Sequence, residues 1–106
     1  MKTYEVKYTE PATESVQRQY RYIAVQKKAP LNAARWFRRL RAAVDGLAVL
    51  PRRYSIDEVQ SAELGTDVYR MVFERTYLLF YTVTDDPNVV EIVSFHHGAR
   101  ESDSDV

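Results

Sequence analysis

From residue 65 to residue 100, apolar and polar positions fall into three short runs separated by turn-forming residues. Val, Ile, Tyr, Phe and Thr dominate these runs, the residue types that suit a pleated, half-buried surface. The pattern predicts strands from Val68 to Phe73, Tyr77 to Thr84 and Val89 to His96. A charged break at Glu74-Arg75 separates the first two, and the polar cluster Asp85-Asp86-Pro87-Asn88 closes the hairpin to the third. Side chains alternate across a sheet. Met71 and Phe73 therefore share one face, with Val68, Arg70 and Val72 on the other. An arginine between two valines has two readings. Either that face does more than pack a core, or Arg70 lays its stem over apolar surface with its head in water. Spacing alone leaves both open.

Upstream, Lys2 to Tyr8 alternates Thr3, Glu5 and Lys7 against Tyr4, Val6 and Tyr8, the pattern of a half-buried strand at or joining the sheet. Thr9-Glu10-Pro11 then opens a helix, with Thr9 or Glu10 as cap and Pro11 in the first turn. Its inward stripe is Val16, Tyr20, Ile23 and the stem of Lys27, with Ala12 and Ala24 allowing close approach. Ala29-Pro30 breaks that helix and starts the next. In the second helix Ala33, Trp36, Phe37, Leu40, Ala43, Val44 and Leu47 fall on one side, while the arginines at 35, 38, 39 and 41 fall mostly outside it. Gly46 weakens the last turn, and Pro51 ends it. Two helices joined by so short a break are antiparallel neighbours. The stretch from Arg52 to Leu64 reads as either a short strand or an irregular crossover.

The expected fold class is thus α+β: an N-terminal strand, an antiparallel helix hairpin, then a three- to four-stranded antiparallel sheet with the helices on one face. At 106 residues the chain makes one domain with one modest core. Residues 1–100 are expected to form it, and the acidic 101–106 to be a disordered tail. The sequence has no apolar run of about twenty residues and so no membrane span. Its N-terminus lacks the apolar middle of a signal peptide, which makes the cytoplasm the expected compartment.

Composition changes this picture in two ways. Cysteine is absent, which excludes disulfides, thiol catalysis and cysteine metal sites. The net charge of zero conceals a split: residues 1–53 carry twelve cations and four acids, residues 54–106 three cations and eleven acids, so the halves stand at +8 and −8. Such halves either neutralise each other within one small fold or steer a charged partner.

Candidate chemistry is sparse. No phosphate-binding loop, dinucleotide fingerprint or H-E-x-x-H occurs. The two histidines, His96 and His97, are adjacent, and strand neighbours point to opposite faces, so a shared metal is disfavoured. No metal or other cofactor is expected. Either histidine can serve as a general acid or base or as a structural hydrogen-bonding group. The serines have no partner base. On chemistry alone the chain reads as a binding module.

With the residues laid out, the chain from Tyr4 to Glu101 resembles the ParE/RelE superfamily of bacterial toxin components. The resemblance rests on AARWFRRLRAAVDGLAVLP, on Glu63-Leu64-Gly65, on Val68-Tyr69-Arg70, on the YLLFYTV strand and on the ending from Ile92 to Glu101. It implies either of two actions. RelE-like members are ribosome-dependent endoribonucleases that hold the scissile phosphate with lysines and arginines; the matching positions here are Tyr69, Met71 and Leu78, which leaves Arg70, His97 and Arg100 as a reduced cationic set. ParE-like members, which this chain resembles better, inhibit DNA gyrase and are neutralised by a cognate antitoxin in a hetero-oligomer. The basic residue usual in their last strand is Ser94 here, and the Asp after the closing Arg is Glu101. Arg70, His97 and Arg100 are the expected target-binding set, and Tyr20, Tyr22 and Trp36 are candidate antitoxin anchors, since aromatic residues and Arg carry most hot spots. For Trp36 the alternative is burial in the core. Ribosome-linked mRNA cleavage is the first alternative function, and a non-toxic interaction domain on the same scaffold is the second.

Overall fold

A computed structural model of the chain describes residues 2–98. The expectation of a disordered tail at 101–106, and the position of Arg100, lie outside the described residues. Strand β1, Glu5–Tyr8, leads into helix α1, Glu10–Arg21, where the Thr9 hydroxyl caps the first turn by accepting from the Ala12 amide at 3.3 Å. One π-helical turn, Tyr22–Gln26, ends α1, and helix α2, Pro30–Asp45, returns antiparallel to it. Short 3-10 turns at Gly46–Ala48 and Pro51–Arg53 lead to the two-residue strand β2, Ser55–Ile56. Helix α3, Glu58–Leu64, follows, and then strands β3, Tyr69–Phe73, β4, Tyr77–Thr84, and β5, Val89–His97.

The strands form one five-stranded sheet in the order β1-β5-β4-β3-β2. The expected antiparallel hairpins are there, but the sheet is larger and mixed, because β1 pairs parallel to β5 with Glu5 opposite Val89. Nearly the whole chain, from α1 to β4, lies between β1 and β5, so no tight turn has to join the parallel pair. One face of the sheet is the core: Tyr69, Met71 and Phe73 alternate inward on β3, Leu79 and Tyr81 on β4, and Val90, Ile92 and Phe95 on β5. The helices bury Ala12 and Val16 from α1, and Trp36, Leu40 and Val44 from α2, against that face. Val68, expected to open the strand, lies just before β3 and is fully buried, its amide held by the Ser61 hydroxyl of α3 at 2.8 Å.

Four details differ from the sequence pattern. In α1 the deeply buried position near the C-terminal end is Gln19, at 5% exposure, and Tyr20 is only half-buried. The glutamine amide is satisfied there, donating to the Tyr77 hydroxyl at 3.1 Å, so its burial carries no unmet polar cost. Lys27 is exposed and lies over the Tyr22 ring instead of extending the stripe. Phe37, assigned to the inner side, is 41% exposed. Helix α3 is the element the pattern did not separate from a crossover. Asp57 caps it by accepting from the Gln60 amide at 2.9 Å, and Gly65 closes it at φ 76°, a left-handed conformation that glycine adopts without a Cβ clash.

The β4–β5 turn is tied to the rest of the chain through Asp85. Its carboxylate accepts from the Tyr4 hydroxyl at 2.5 Å, from Arg52 at 2.7 Å and from Lys2 at 3.2 Å. Those hydrogen bonds, Tyr4 first, hold its carboxyl well below the usual carboxylate range. A depressed native value means that the contribution is complete above the unfolded carboxylate value, about 4, and is lost as the pH falls through the native one. Asp85→Asn is therefore expected to lower stability at neutral pH and to flatten its dependence on pH in the acid range. Urea midpoints of both proteins between roughly pH 2 and pH 7 test this; parallel curves would contradict it.

Candidate functional site

Pairing sets which side chains share the sheet face turned away from the helices. Arg70 pairs with Phe80, and Phe80 with Ser94; in the next row Val72 pairs with Leu78, and Leu78 with His96. The open face thus presents Arg70 and Val72, both exposed, beside Phe80, which is buried outside the main core at 7% exposure. The His96 ring meets the Phe80 ring edge-on at 5.9 Å between centroids. The Ser94 hydroxyl is buried without a hydrogen-bond partner among the described residues. Within the strand residues of β2 to β5, all of them described, the only lysine or arginine is Arg70.

His97 is not part of that surface. It pairs with Tyr77 on the helix side, and the two rings lie 4.9 Å apart. The cause is an extra residue in β5. Tyr81 faces Ile92 while Phe80 faces Ser94, so Val93 bulges out and the parity beyond it reverses. The expected grouping of Arg70 with His97 is therefore corrected: the two side chains stand on opposite faces. Arg100, the third member of that set, lies outside the described residues. Gly98 follows with its amide bonded to the Thr76 carbonyl, and a Cβ added there would sit 3.0 Å from that oxygen. Gly98→Val is expected to displace the end of β5 and to loosen the Tyr77–His97 contact, seen as shifted ring resonances of both residues. Unchanged resonances would contradict this placement.

The residues proposed as antitoxin anchors separate in the same way. Trp36 is core, 3% exposed, with its ring 5.5 Å from Tyr77 and 6.0 Å from Phe95. Tyr20 is half-buried and meets Phe37 edge-on at 6.1 Å; Tyr22 is half-buried under Lys27. Tyr20 and Phe37 form part of a groove between α1, α2 and β1. One section, about 380 Å³, is lined by Val6, Tyr8, Thr13, Val16, Gln17, Phe37, Arg41 and Asp45. A second section of about 360 Å³ shares Val16, Gln17 and Phe37 and extends to Tyr20 and Arg21. Burial pushes the Tyr8 hydroxyl above its ordinary value, Asp45 adds to the rise, and Arg41 opposes it. The groove has apolar walls and a few charges.

Among the described residues no cluster of three or more His, Asp or Glu side chains could hold a metal ion, and no helix is long and apolar enough to cross a membrane. A family model described as the ParE toxin of type II toxin–antitoxin systems, parDE, matches residues 6–102. The chain belongs to the ParE toxin family. Solved structures of similar fold include the chromosomal ParDE toxin–antitoxin system from P. aeruginosa, at TM-score 0.68 and 16% identity over 90% of this chain and 96% of that one. The archaeal RelE–RelB complex from Pyrococcus horikoshii OT3 is similar at TM-score 0.59 and 20% identity, covering 92% of this chain and 98% of that one. The RelBE2 toxin–antitoxin complex from Mycobacterium tuberculosis follows at 0.57 and 21%, covering 92% and 93%. No curated protein matches the chain. In this ParE-family chain, sequence reasoning missed Gln19, Phe37 as a surface residue, and the open-face pair Phe80 and His96. The adjacent apolar residues Ile92-Val93, followed by Phe95 one position late, are the sequence signal that marks the bulge and would have placed the histidines.

Proposed function

We propose that this toxin arrests growth by binding DNA gyrase in the cytoplasm, and that a cognate antitoxin neutralises it by laying a segment in the groove between α1, α2 and β1. The observation that carries the target reading is the composition of the open sheet face. Cutting RNA requires several preorganised cations around the scissile phosphate. Here Arg70 stands among Val72, Leu78, Phe80, Ser94 and His96. One guanidinium on a largely apolar surface is the composition of a protein-binding patch, where Arg and aromatic side chains carry most of the energy. The antitoxin reading rests on the apolar groove and on the solved neighbours, which are toxin–antitoxin assemblies. An amphipathic segment is the natural ligand for such a groove.

Supercoiling of relaxed plasmid by purified gyrase tests the target. The wild-type chain is expected to inhibit supercoiling and leave broken DNA, and Arg70→Ala to raise the concentration needed by at least about tenfold, the scale of a lost interface arginine. Full supercoiling in the presence of excess folded toxin would overturn the reading.

A further inference from the structure

Part of the charge split is neutralised within the fold, where Lys2 and Arg52 bond Asp85 and Arg39 bonds Glu74; the rest lies on two separate surfaces. From Ser15 to Val44 the helix hairpin carries eight cations and no acid. From Asp57 to Asp67, α3 and its flanks carry four acids and no cation. The hairpin covers the β1–β5 side of the sheet, where α1 packs on β5, whereas α3 follows β2 at the opposite edge. Each surface also exposes apolar side chains that the fold does not use. At the tip of the hairpin Val25 is 68% and Leu31 69% exposed; on α3 Val59 is 66% and Leu64 50% exposed. Helix α3 buries none of its own residues. A short helix that buries none of its own side chains, yet shows two large apolar groups among acids, presents an unpartnered surface. Its complement, two large apolar groups among cations, is on the other side of the same molecule.

We propose that the acidic α3 surface docks on the basic hairpin tip of a second copy of this chain, head to tail. The contact places Val59, which shares its side of α3 with Glu63 one turn on, against Val25 and Leu31, with Glu63 and Asp67 facing Lys27 and Lys28. A molecule of zero net charge has no long-range self-repulsion to oppose this, and its opposed poles steer the encounter. Because the two patches differ, the contact is heterologous and leaves one patch of each kind open at the ends, so association continues past the dimer unless the geometry closes a ring. The contact lies outside both the groove and the open sheet face, so it stands or falls apart from the gyrase and antitoxin readings.

Sedimentation of the full chain over a concentration series tests it. At low salt the weight-average mass is expected to rise with concentration above the 12.4 kDa of one chain. It is expected to fall back towards that value in roughly 1 M salt, where the screening length is about 3 Å. Glu63→Lys/Asp67→Lys places cations at and just beyond the C-terminal end of α3, where they favour the helix, and Lys27→Glu/Lys28→Glu reverses the tip. Each double variant alone is expected to stay at single-chain mass. An equimolar mixture of the two is expected to associate again, since opposite charges then face each other at both kinds of contact. A wild-type chain that stays monomeric at every concentration, variants that associate like the wild type, or a mixture that stays monomeric would each overturn the proposal.

Discussion

Trp36→Ala is expected to remove about 3–5 kcal/mol of folding stability, a large part of the 5–15 kcal/mol typical of a small domain. The indole is 3% exposed and packs on Tyr77 at 5.5 Å and Phe95 at 6.0 Å, and those two rings stack on each other at 5.4 Å. Truncation leaves a cavity at the point where α2, β4 and β5 meet, and the surrounding rings are held by their strands and cannot collapse into it. The Nε1 hydrogen has no hydrogen-bond partner among the described residues, so Trp36→Phe sacrifices packing volume alone and is expected to cost less than the alanine change. Urea unfolding at neutral pH measures both, read as a shift of midpoint at constant slope. An alanine variant within about 1 kcal/mol of the wild type would mean that Trp36 is a surface anchor after all.

The neighbouring residue is expected to behave in the opposite way. Phe37 is 41% exposed and forms one wall of both groove sections. Phe37→Ala is expected to weaken antitoxin binding by about 2 kcal/mol or more, roughly thirtyfold in Kd. The unfolding free energy from urea titration should change by less than about 1 kcal/mol, since a largely exposed ring returns little transfer energy on folding. Its contact with Tyr20, edge-on at 6.1 Å, makes Tyr20 the second residue of the same patch, so the two substitutions are expected to be non-additive. Calorimetric titration of the purified toxin with its antitoxin measures the loss. Equal affinity for wild type and Phe37→Ala would remove the antitoxin from this groove without touching the assignment of the family.

The contrast between residues 36 and 37 shows what the sequence made legible. Helical period placed both on the inner side of α2, and the hairpin and the three C-terminal strands follow from patterns strong enough to read directly. Period alone does not say how wide the buried stripe is. Width depends on where α1 crosses, and α1 leaves the groove open beside Phe37. Helix α3 was illegible for another reason: its apolar residues Val59 and Leu64 are five apart, off the helical spacing of three or four, so they give no amphipathic signal, and only the Asp57 cap and the Gly65 stop mark it. The parallel direction of β1 leaves no trace in alternation, which is the same for either direction. The functional face failed at one residue. A hairpin ladder running from Thr84 and Val89 without a bulge would set Phe80 opposite Val93 and carry His97 to the side of Arg70. The extra residue at Val93 turns His97 inward and brings Ser94 and His96 out in its place.

That open face, with Arg70 as the one lysine or arginine within the strand residues of β2 to β5, is the basis for reading this toxin as one that grips a protein. Mapping of mRNA ends in a translating extract supplied with the purified, folded chain tests it most directly. The expected result is intact message at toxin concentrations that inhibit gyrase. New ends that recur at a fixed position within codons, and that disappear with Arg70→Ala, would contradict it.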